Sequence, residues 1–369
     1  MYLSYIYFIL DNFFFTLAKY VSLFDFIFLW KKLHLKYTSI IYFKKNNIVI
    51  MIYESLIYGI SIIFLAILID MILGEVPTKI HPVVYMGNII SRLKNYLPNT
   101  RFSGLLIVLT TNFIVVVVTL LILIILMLIN QWLYLIFAAL ILSTTFSINF
   151  LIKSVQDIQN DLNEDINKAR KSMSYLVSRD TTQLTESRIT SAAIETLSEN
   201  ITDSIISPLF YTALLGLPFG IFFSILFAMI YRASNTMDAM LGYKTKELID
   251  VGYYPAKLDD LLNYIPARIT GYYVIFAAFI LKYDYKQSYD VMKKYALKTP
   301  SPNSGYSMAA TAGALNIKLT KENVYELGYG TDKLTKDKIT QAINITKVTS
   351  ILFIITILVI YLIFIVLLM

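Results

Sequence analysis

Two long apolar runs, separated by only two polar residues, constrain this chain more than any other feature of its sequence. They extend from Ser103 to Ile129 and from Trp132 to Ile152, and a helix of either length can cross the hydrocarbon core of a bilayer. The residues between them, Asn130 and Gln131, leave room only for a tight turn. The two runs therefore predict a membrane hairpin whose outer ends lie on the same side.

Composition agrees with a membrane location. Charged residues make up 15% of the chain and hydrophobic residues 57%, whereas a soluble domain carries about 25% charged residues. Further apolar runs cover Ile52 to Leu73, Ile205 to Tyr231, Ala267 to Leu281 and Val348 to Met369. We expect an all-α, polytopic integral membrane protein with about five to seven hydrophobic helices, whose active region is helical and loop-like and lies on the cytoplasmic side.

The distribution of basic residues predicts the orientation of the hairpin. Lysines and arginines flank both of its outer ends, and the connecting turn carries no charge. Loops on the cytoplasmic side of a membrane carry an excess of Lys and Arg. The outer ends are therefore predicted to lie in the cytoplasm, with the protein in the cell membrane. The formal charge of +7 also suits anionic lipid headgroups or anionic substrates.

Several classes of chemistry are excluded by the residue inventory. The chain has no cysteine and two histidines, His34 and His81, so disulfides, thiolate sites and multi-histidine metal centres are ruled out. Any metal has to be held by oxygen, which favours magnesium. There is no phosphate-binding P-loop, no dinucleotide-binding G-x-G-x-x-G and no serine nucleophile elbow.

The sequence divides into five regions. Residues 1–50 contain no polar motif and are expected to be an N-terminal extension, either an extra helix or the result of a start placed too far upstream. Residues 205–231 are cut by prolines and glycines, which allows one kinked span or a helical pair that dips into the membrane and returns. We favour the pair. The other expected regions are transmembrane helices over 51–152, a motif-rich catalytic region over 153–270, a short apolar helix with a Lys-rich loop over 271–347, and a final span over 348–369.

Acidic residues recur at helical spacing in the motif-rich region. On a helix from Ala193 to Asp203, the carboxylates of Glu195, Glu199 and Asp203 fall on one face. Like charges at this spacing repel each other, and a cation, a magnesium ion or a basic substrate would relieve that repulsion. The alternative is a solvated helix face that does no chemistry.

Two further polar groups follow the acidic helix. A helix from Tyr231 would place Arg232, Asn235, Thr236 and Asp238 on one broad face. Lys257, Asp259 and Asp260 are expected in a loop after Pro255.

For polar residues outside the acidic helix, a purely structural role is also an alternative to a functional one. Asp70 lies inside an apolar run, where an ionisable group is costly and usually faces protein or water. His81 precedes a proline and is expected in an extended interfacial loop, making one hydrogen bond or contacting substrate. The Asn303–Gly305 segment could bind an anion through backbone N–H groups, or could simply form a turn.

Six motifs, in order, are similar to one known family. They are G-E-V-P with H-P-V, then S-R-D-T, E-T-L-S-E-N-I-T-D-S with P-L-F, Y-R-A-S-N-T-M-D-A-M-L-G-Y, L-D-D with N-Y-I-P-A-R, and S-P-N-S-G with A-G-A-L. From about Asp70 to about Leu327 the chain resembles the adenosylcobinamide-phosphate synthases of cobalamin biosynthesis. It departs at Glu75, where the family usually has Asp, and at Val76, where it often has Pro.

The resemblance implies an ATP-dependent carbon–nitrogen ligase. Such an enzyme joins the free propionate carboxylate of adenosylcobyric acid to aminopropanol or its phosphate, with ATP and Mg²⁺. The expected partners are this corrinoid, the amine, the lipid bilayer and other enzymes of the cobalamin pathway, and no nucleic acid.

The motif matches also imply roles for individual residues. The resemblance assigns magnesium binding to Glu195, Glu199 and Asp203, and clamping of phosphate or carboxylate to Arg179, Arg232 and Arg268. Among the other motif residues, it implies polar side chains that orient the substrates, and a second acidic group or general base. The implied catalytic set is Glu195, Glu199, Asn200, Asp203, Arg232, Asn235 and Asp238, and the implied substrate-binding set is His81, Arg179, Asp180, Asp259, Asp260, Arg268, Ser301, Asn303 and Gly305.

Two other classes remain open at this point. A corrinoid-binding or transport protein without catalysis would suit broken helices and an intramembrane Asp70. A membrane scaffold for other pathway enzymes is the third class. Formation of amide and ADP by the purified protein separates an enzyme from both.

Overall fold

The computed structural model describes residues 38–177 and 179–368, which are almost entirely helical. In chain order the helices are α1 (Thr38–Leu73), α2 (Pro82–Tyr96), α3 (Arg101–Ile129), α4 (Gln131–Ser143), α5 (Ile148–Glu164), α6 (Ile166–Ser174), α7 (Glu186–Ile201), α8 (Ser207–Phe219), α9 (Ile221–Leu241), α10 (Tyr253–Leu262), α11 (Tyr264–Ile280), α12 (Tyr285–Tyr295), α13 (Ser304–Ala314) and α14 (Lys336–Leu368). A π-helical turn, Thr202–Ile206, joins α7 to α8, and a short 3₁₀ turn, Ala296–Lys298, follows α12.

Five segments of the described chain are long and apolar enough to cross a membrane. They are Tyr53–Leu73, Arg101–Ile129, Gln131–Glu164, Glu186–Phe219 and Lys336–Leu367, and the apolar helix α11 is shorter. Large apolar side chains on the outer faces of α3 and α14 are exposed, among them Phe113 and Leu362, as expected for surfaces that contact lipid. The prediction of an all-α, polytopic membrane protein is confirmed.

The tight connection predicted at Asn130 is present. Its side-chain Oδ1 accepts hydrogen bonds from the backbone N–H groups of Trp132 and Leu133, at 2.7 and 3.3 Å, and so caps the N-terminus of α4. The second apolar run, predicted from Trp132 to Ile152, falls within the candidate span Gln131–Glu164, but it is not one unbroken helix. The helix ends at Ser143 and a new helix begins at Ile148.

The interruption between α4 and α5 has a local cause. The hydroxyls of Ser143, Thr144 and Thr145 each donate to the carbonyl three residues earlier, at 2.7–2.8 Å. Side-chain hydrogen bonds of this kind compete with the regular helical pattern. The freed N-terminus of α5 is then available to a partner from another helix.

That partner is Asp70, which is 2% exposed at the end of α1. Its Oδ2 accepts from the backbone N–H groups of Ile148 and Asn149, both at 3.1 Å. A carboxylate at a helix N-terminus satisfies unpaired donors and complements the helix dipole. The intramembrane aspartate therefore joins two helices, and this contact accounts for its position without a substrate.

Helices α8 and α9 form the helical pair favoured for residues 205–231. Gly220 separates them with φ of 81°, and the Ser224 hydroxyl donates to the carbonyl of Thr212 at 2.8 Å. This hydrogen bond between the two helices shows that the chain reverses and packs back on itself. The helix predicted from Tyr231 is the second half of α9, which begins at Ile221.

One further expectation is corrected, and one element was not expected. Lys257, Asp259 and Asp260 lie on α10 and not in a loop, because Pro255 occupies the first turn of that helix, where proline is tolerated. A short antiparallel hairpin, β1 (Leu319–Lys321) with β2 (Tyr325–Leu327), was not predicted. Most of the expected extension over residues 1–50 lies outside the described residues. Residues 38–50 form the first part of α1.

Helix α7 lies in the centre of the protein. Every residue from Ile189 to Ser198 is buried, including Glu195, which is 3% exposed. The alternative of a solvated acidic face is therefore wrong for Glu195, whereas Glu199 is exposed and Asp203 half-buried. A carboxylate buried as deeply as Glu195 needs polar partners.

Candidate functional site

A cavity of about 910 Å³ collects most of the acidic residues of the sequence motifs. We call it the acidic cavity. The π-turn, α7, α9 and α10 contribute carboxylates to it, and the loop before α13 and the β-hairpin complete its wall. Its charged residues are Glu199, Asp203, Asp238, Asp259 and Asp260, with Lys244, Lys257 and Lys321.

The three carboxylates expected on one helix face do not all reach this cavity. Glu195, Glu199 and Asp203 were expected on one face of a regular helix, but the α-helical pattern ends at Ile201. Glu199 and Asp203 line the acidic cavity, whereas Glu195 does not. Glu195 and Glu199 both lie on the regular part of α7, so the π-turn does not separate them. Glu195 instead bonds Arg179, Ser191 and Tyr325.

Asp259 is held in place by two amides. Its Oδ1 accepts from Asn235 Nδ2 at 3.3 Å and its Oδ2 from Asn263 Nδ2 at 3.0 Å. Asn263 Oδ1 accepts in turn from Ser207 Oγ at 2.6 Å and from the Tyr231 hydroxyl at 2.9 Å. The network joins α8, α9, α10 and the start of α11, so it fixes the position of this carboxylate against several helices.

Asp260 anchors the S-P-N-S-G loop to the same cavity. Its carboxylate accepts from Ser301 Oγ at 3.3 Å, and its backbone carbonyl accepts from Asn303 Nδ2 at 2.8 Å. Asn303 also receives a long contact of 3.4 Å from Arg268 Nη1. The guanidinium of Arg268 stacks over the rings of Tyr264 and Tyr306, 3.5 and 4.5 Å from their centroids.

The environment of α10 changes the acidity of its two carboxyls. Burial raises the pKa of Asp259 to about 6, against the lowering effect of the hydrogen bonds from Asn235 and Asn263. Burial also raises the pKa of Asp260. Carboxyls with pKa values closer to neutrality can exchange protons with substrates near physiological pH.

Glu195 lies in a buried polar cluster behind the acidic cavity. Its Oε2 accepts from Arg179 Nη2 at 2.9 Å and from the Tyr325 hydroxyl at 3.0 Å, and its Oε1 accepts from Ser191 Oγ at 2.8 Å. Burial raises the pKa of Tyr325, and the negative charge of Glu195 adds to this effect. Tyr325 therefore stays a neutral donor. Arg179, Glu195 and Tyr325 lie between this cavity and a second one, and we call these three residues the partition.

A second cavity, of about 470 Å³, lies on the other side of the partition. Arg179 and Lys321 line it, and Lys321 lines the acidic cavity as well. We call it the basic cavity, since four of its lining residues are cationic and two are acidic. The cationic residues are Arg179, Arg188, Lys318 and Lys321, and the acidic residues are Asp180 and Glu322.

The structure brings together some of the implied site residues and separates others. Glu199, Asp203, Asp238, Asp259, Asp260, Ser301 and Asn303 line the acidic cavity, and Arg179 and Asp180 line the basic cavity. His81, Glu195, Asn200, Arg232, Asn235, Arg268 and Gly305 line neither.

His81 and Asn200 have local partners. His81 Nδ1 accepts from the Val83 N–H at 3.2 Å and caps α2. This is the single side-chain hydrogen bond expected if His81 has a structural role. Asn200 Nδ2 donates to the Thr196 carbonyl at 2.8 Å. For Arg232, the buried Nε makes no hydrogen bond to any described residue.

The predicted magnesium site of Glu195, Glu199 and Asp203 stays a prediction. Within residues 38–177 and 179–368, no group of three or more His, Cys, Asp or Glu side chains is arranged to hold a metal ion. Glu195 is already bonded to Arg179, Ser191 and Tyr325. Glu199 and Asp203 remain directed to the cavity.

Lys321 and Tyr325 were not among the residues implied by the sequence. Both belong to the β-hairpin, whose turn contains Asn323 in the left-handed region with φ of 58°. Asparagine tolerates that conformation better than most residues. The segment K-L-T-K-E-N-V-Y-E-L contained this turn signal, but each strand is only three residues long, which is too short for a periodic pattern.

Together, the membrane helices and the charged cavities define a polytopic membrane protein with a polar, acid-rich site. The chain matches the model of the CobD/Cbib protein family over residues 63–355. It belongs to this family.

Curated relatives cover most of the chain. It is 43% identical to a probable cobalamin biosynthesis protein CobD of Methanothermobacter thermautotrophicus, over 79% of this chain and 94% of the relative. Proteins with the same name from Methanococcus aeolicus and Methanocaldococcus jannaschii are 41% and 40% identical, over 74% and 78% of this chain and 89% and 94% of the relatives. No solved structure matches the chain.

Proposed function

We propose that this protein acts in cobalamin biosynthesis as an adenosylcobinamide-phosphate synthase. It would attach aminopropanol, or its phosphate, to the free propionate carboxylate of adenosylcobyric acid, with ATP as co-substrate. Family membership and the names of the relatives support the pathway. The observation that supports the chemistry is the acidic cavity, in which carboxylates from three separate motifs meet.

The acidic cavity is suited to a cationic substrate. An amino alcohol carries a protonated amine near neutral pH, and the five carboxylates of the cavity outnumber its three lysines. Opposite charges attract strongly where water is partly excluded. The ammonium group would bind between the carboxylates, with Asp259 held for this contact by Asn235 and Asn263.

Amide formation requires two changes that this cavity can assist. The propionate carboxylate takes the γ-phosphoryl group of ATP as ADP leaves, and the amine nitrogen then bonds to the activated carbonyl carbon as inorganic phosphate leaves. The ammonium has to lose a proton before it can attack. A carboxylate with a raised pKa, such as Asp259, is a suitable acceptor.

Magnesium would enter together with the nucleotide. Sites of this kind use one or two carboxylates plus phosphate oxygens, without a complete protein cage. Glu199 and Asp203 fit that requirement, since both line the cavity and Glu195 is occupied elsewhere. The bound ion would neutralise charge on the transferring phosphoryl group.

A single assay tests the proposal. Purified protein in detergent is incubated with adenosylcobyric acid, Mg²⁺ and ATP, with aminopropanol and its phosphate in separate reactions. We expect a corrinoid amide and ADP in equal amounts in one or both. Corrinoid binding without either product would instead support a non-catalytic binding or transport protein.

A further inference from the structure

The basic cavity is separate from the site that the acidic residues form, and its composition is the reverse. Arg188 and Lys318 lie on its rim, with side chains 57% and 46% exposed. Their ion-pair partners, Glu322 and Glu326, are themselves more than half exposed. Surface pairs of this kind are weak, so both cations can turn to a stronger anion without a large loss of stability.

The first turn of α7 contributes to the same cavity. Ser187 and Arg188 line it, and the Thr185 hydroxyl caps the helix by accepting from the Arg188 N–H. The N–H groups of Glu186 and Ser187 donate to no backbone or side-chain acceptor among the described residues. Free N–H groups at the start of a 16-residue helix favour an anion, and phosphate in particular.

Two more cations face inward. Arg179 uses Nη2 for Glu195, and its other N–H groups stay available because a guanidinium has five donors. The Lys321 side chain makes no hydrogen bond or ion pair with any other described residue, although its charge acts on Glu199. The cavity therefore presents cationic groups on both its rim and its inner wall.

We infer that the basic cavity is a binding site for a phosphoryl group, distinct from the acidic cavity. Arg179, Arg188, Lys318 and Lys321, with the start of α7, would hold its oxygens. Two ligands of the proposed function carry such a group, ATP and aminopropanol phosphate, and to that extent the inference rests on it. Neither ligand needs to react for the site to be tested.

The test is equilibrium dialysis of the detergent-solubilised full chain with radiolabelled ATP and, separately, radiolabelled aminopropanol phosphate. The double variant Arg188→Gln/Lys318→Gln removes two rim cations whose ion pairs are exposed. We expect the Kd of at least one ligand to rise about tenfold or more, the scale of a lost charge-assisted contact. Lys168→Gln/Lys286→Gln removes the same charge at exposed positions outside both cavities and should leave both Kd values within twofold.

The two ligands distinguish the source of the phosphoryl group. A loss confined to ATP assigns the cavity to the nucleotide, and a loss confined to aminopropanol phosphate assigns it to the amine substrate. If neither Kd changes, or if the control variant weakens binding equally, the inference is wrong. Because binding is measured without turnover, an inactive protein that still shows the loss would overturn the proposed function and leave this site standing.

Discussion

At the residue scale, two buried aspartates that look alike in the sequence have different tasks. Asp70 bonds two backbone N–H groups of α5, whereas Asp259 bonds two side-chain amides and lines a cavity. The first arrangement completes a helix terminus, and the second fixes a carboxylate against open space. Their partners therefore distinguish an aspartate that caps a helix from one that lines a cavity, and residue type does not.

Replacing Asp70 tests its structural assignment. Asp70→Ala leaves the N–H groups of Ile148 and Asn149 unpaired and should destabilise the protein by about 1–2 kcal/mol. Asp70→Asn keeps an acceptor oxygen, loses the charge and should cost less. The unfolding temperature in detergent measures both changes. Turnover per folded molecule should stay near wild type, and a large loss of turnover without destabilisation would assign Asp70 to the chemistry.

Asp259 predicts a pH dependence of amine binding. With a pKa of about 6, its carboxyl is ionised above pH 6 and neutral below it. The affinity for protonated aminopropanol should therefore fall as the pH drops through 6, by up to about tenfold per unit. Calorimetric titrations between pH 5 and 8 measure this. The Asp259→Asn variant should bind weakly and lose the inflection near pH 6, keeping only the one from Asp238, whose pKa burial raises to about 7. Asp260→Asn should keep the inflection near pH 6.

At the scale of elements, Gly220 decides the path of the α8–α9 pair. Its φ of 81° and ψ of 166° belong to a region that is essentially restricted to glycine. Gly220→Ala should destabilise the protein by about 1–3 kcal/mol, measured as a lower unfolding temperature. Gly87→Ala is the matched control, because Gly87 lies within α2 and an added Cβ meets only the Met240 side chain, at 3.5 Å from Sδ and 4.0 Å from Cε. That change should be neutral or slightly stabilising.

The sequence predicts some of these elements and not others, for identifiable reasons. The α3–α4 connection follows from Asn130 between two apolar runs, which is a local signal. The break before Ile148 is only partly local: the hydroxyls of Ser143 to Thr145 bond nearby carbonyls, but the new helix is capped by Asp70, 78 positions away. No local pattern contains that second contact. The grouping of Glu195, Glu199 and Asp203 was only partly right, because Glu195 bonds Arg179 and Tyr325 while Glu199 and Asp203 line the cavity. Arg179 and Tyr325 are distant in the sequence, so helical spacing alone could not reveal these contacts.

At the scale of the whole molecule, both cavities are expected to open to the cytoplasm. The chain has no cysteine, so a cysteine introduced in place of Ser187 or Ser304 is the only thiol that a labelling reagent can modify. Ser187 lines the basic cavity and Ser304 the acidic one. An impermeant maleimide should label neither in intact cells and both in opened cells. Labelling of either position from outside would contradict a shared cytoplasmic face.

Lys321 lines both cavities, so its positive charge acts on both. An anion in the basic cavity would draw its ammonium away from Glu199, whose carboxylate it now influences. The acidic cavity would then hold a cation more tightly, and by thermodynamic reciprocity the cation would strengthen anion binding by the same factor. We expect the two ligands to bind with positive cooperativity of about fivefold or more, and Lys321→Met to make their affinities independent. A single lysine that faces a site for anions and a site for cations would let each site respond to whether the other is filled, whichever ligand arrives first.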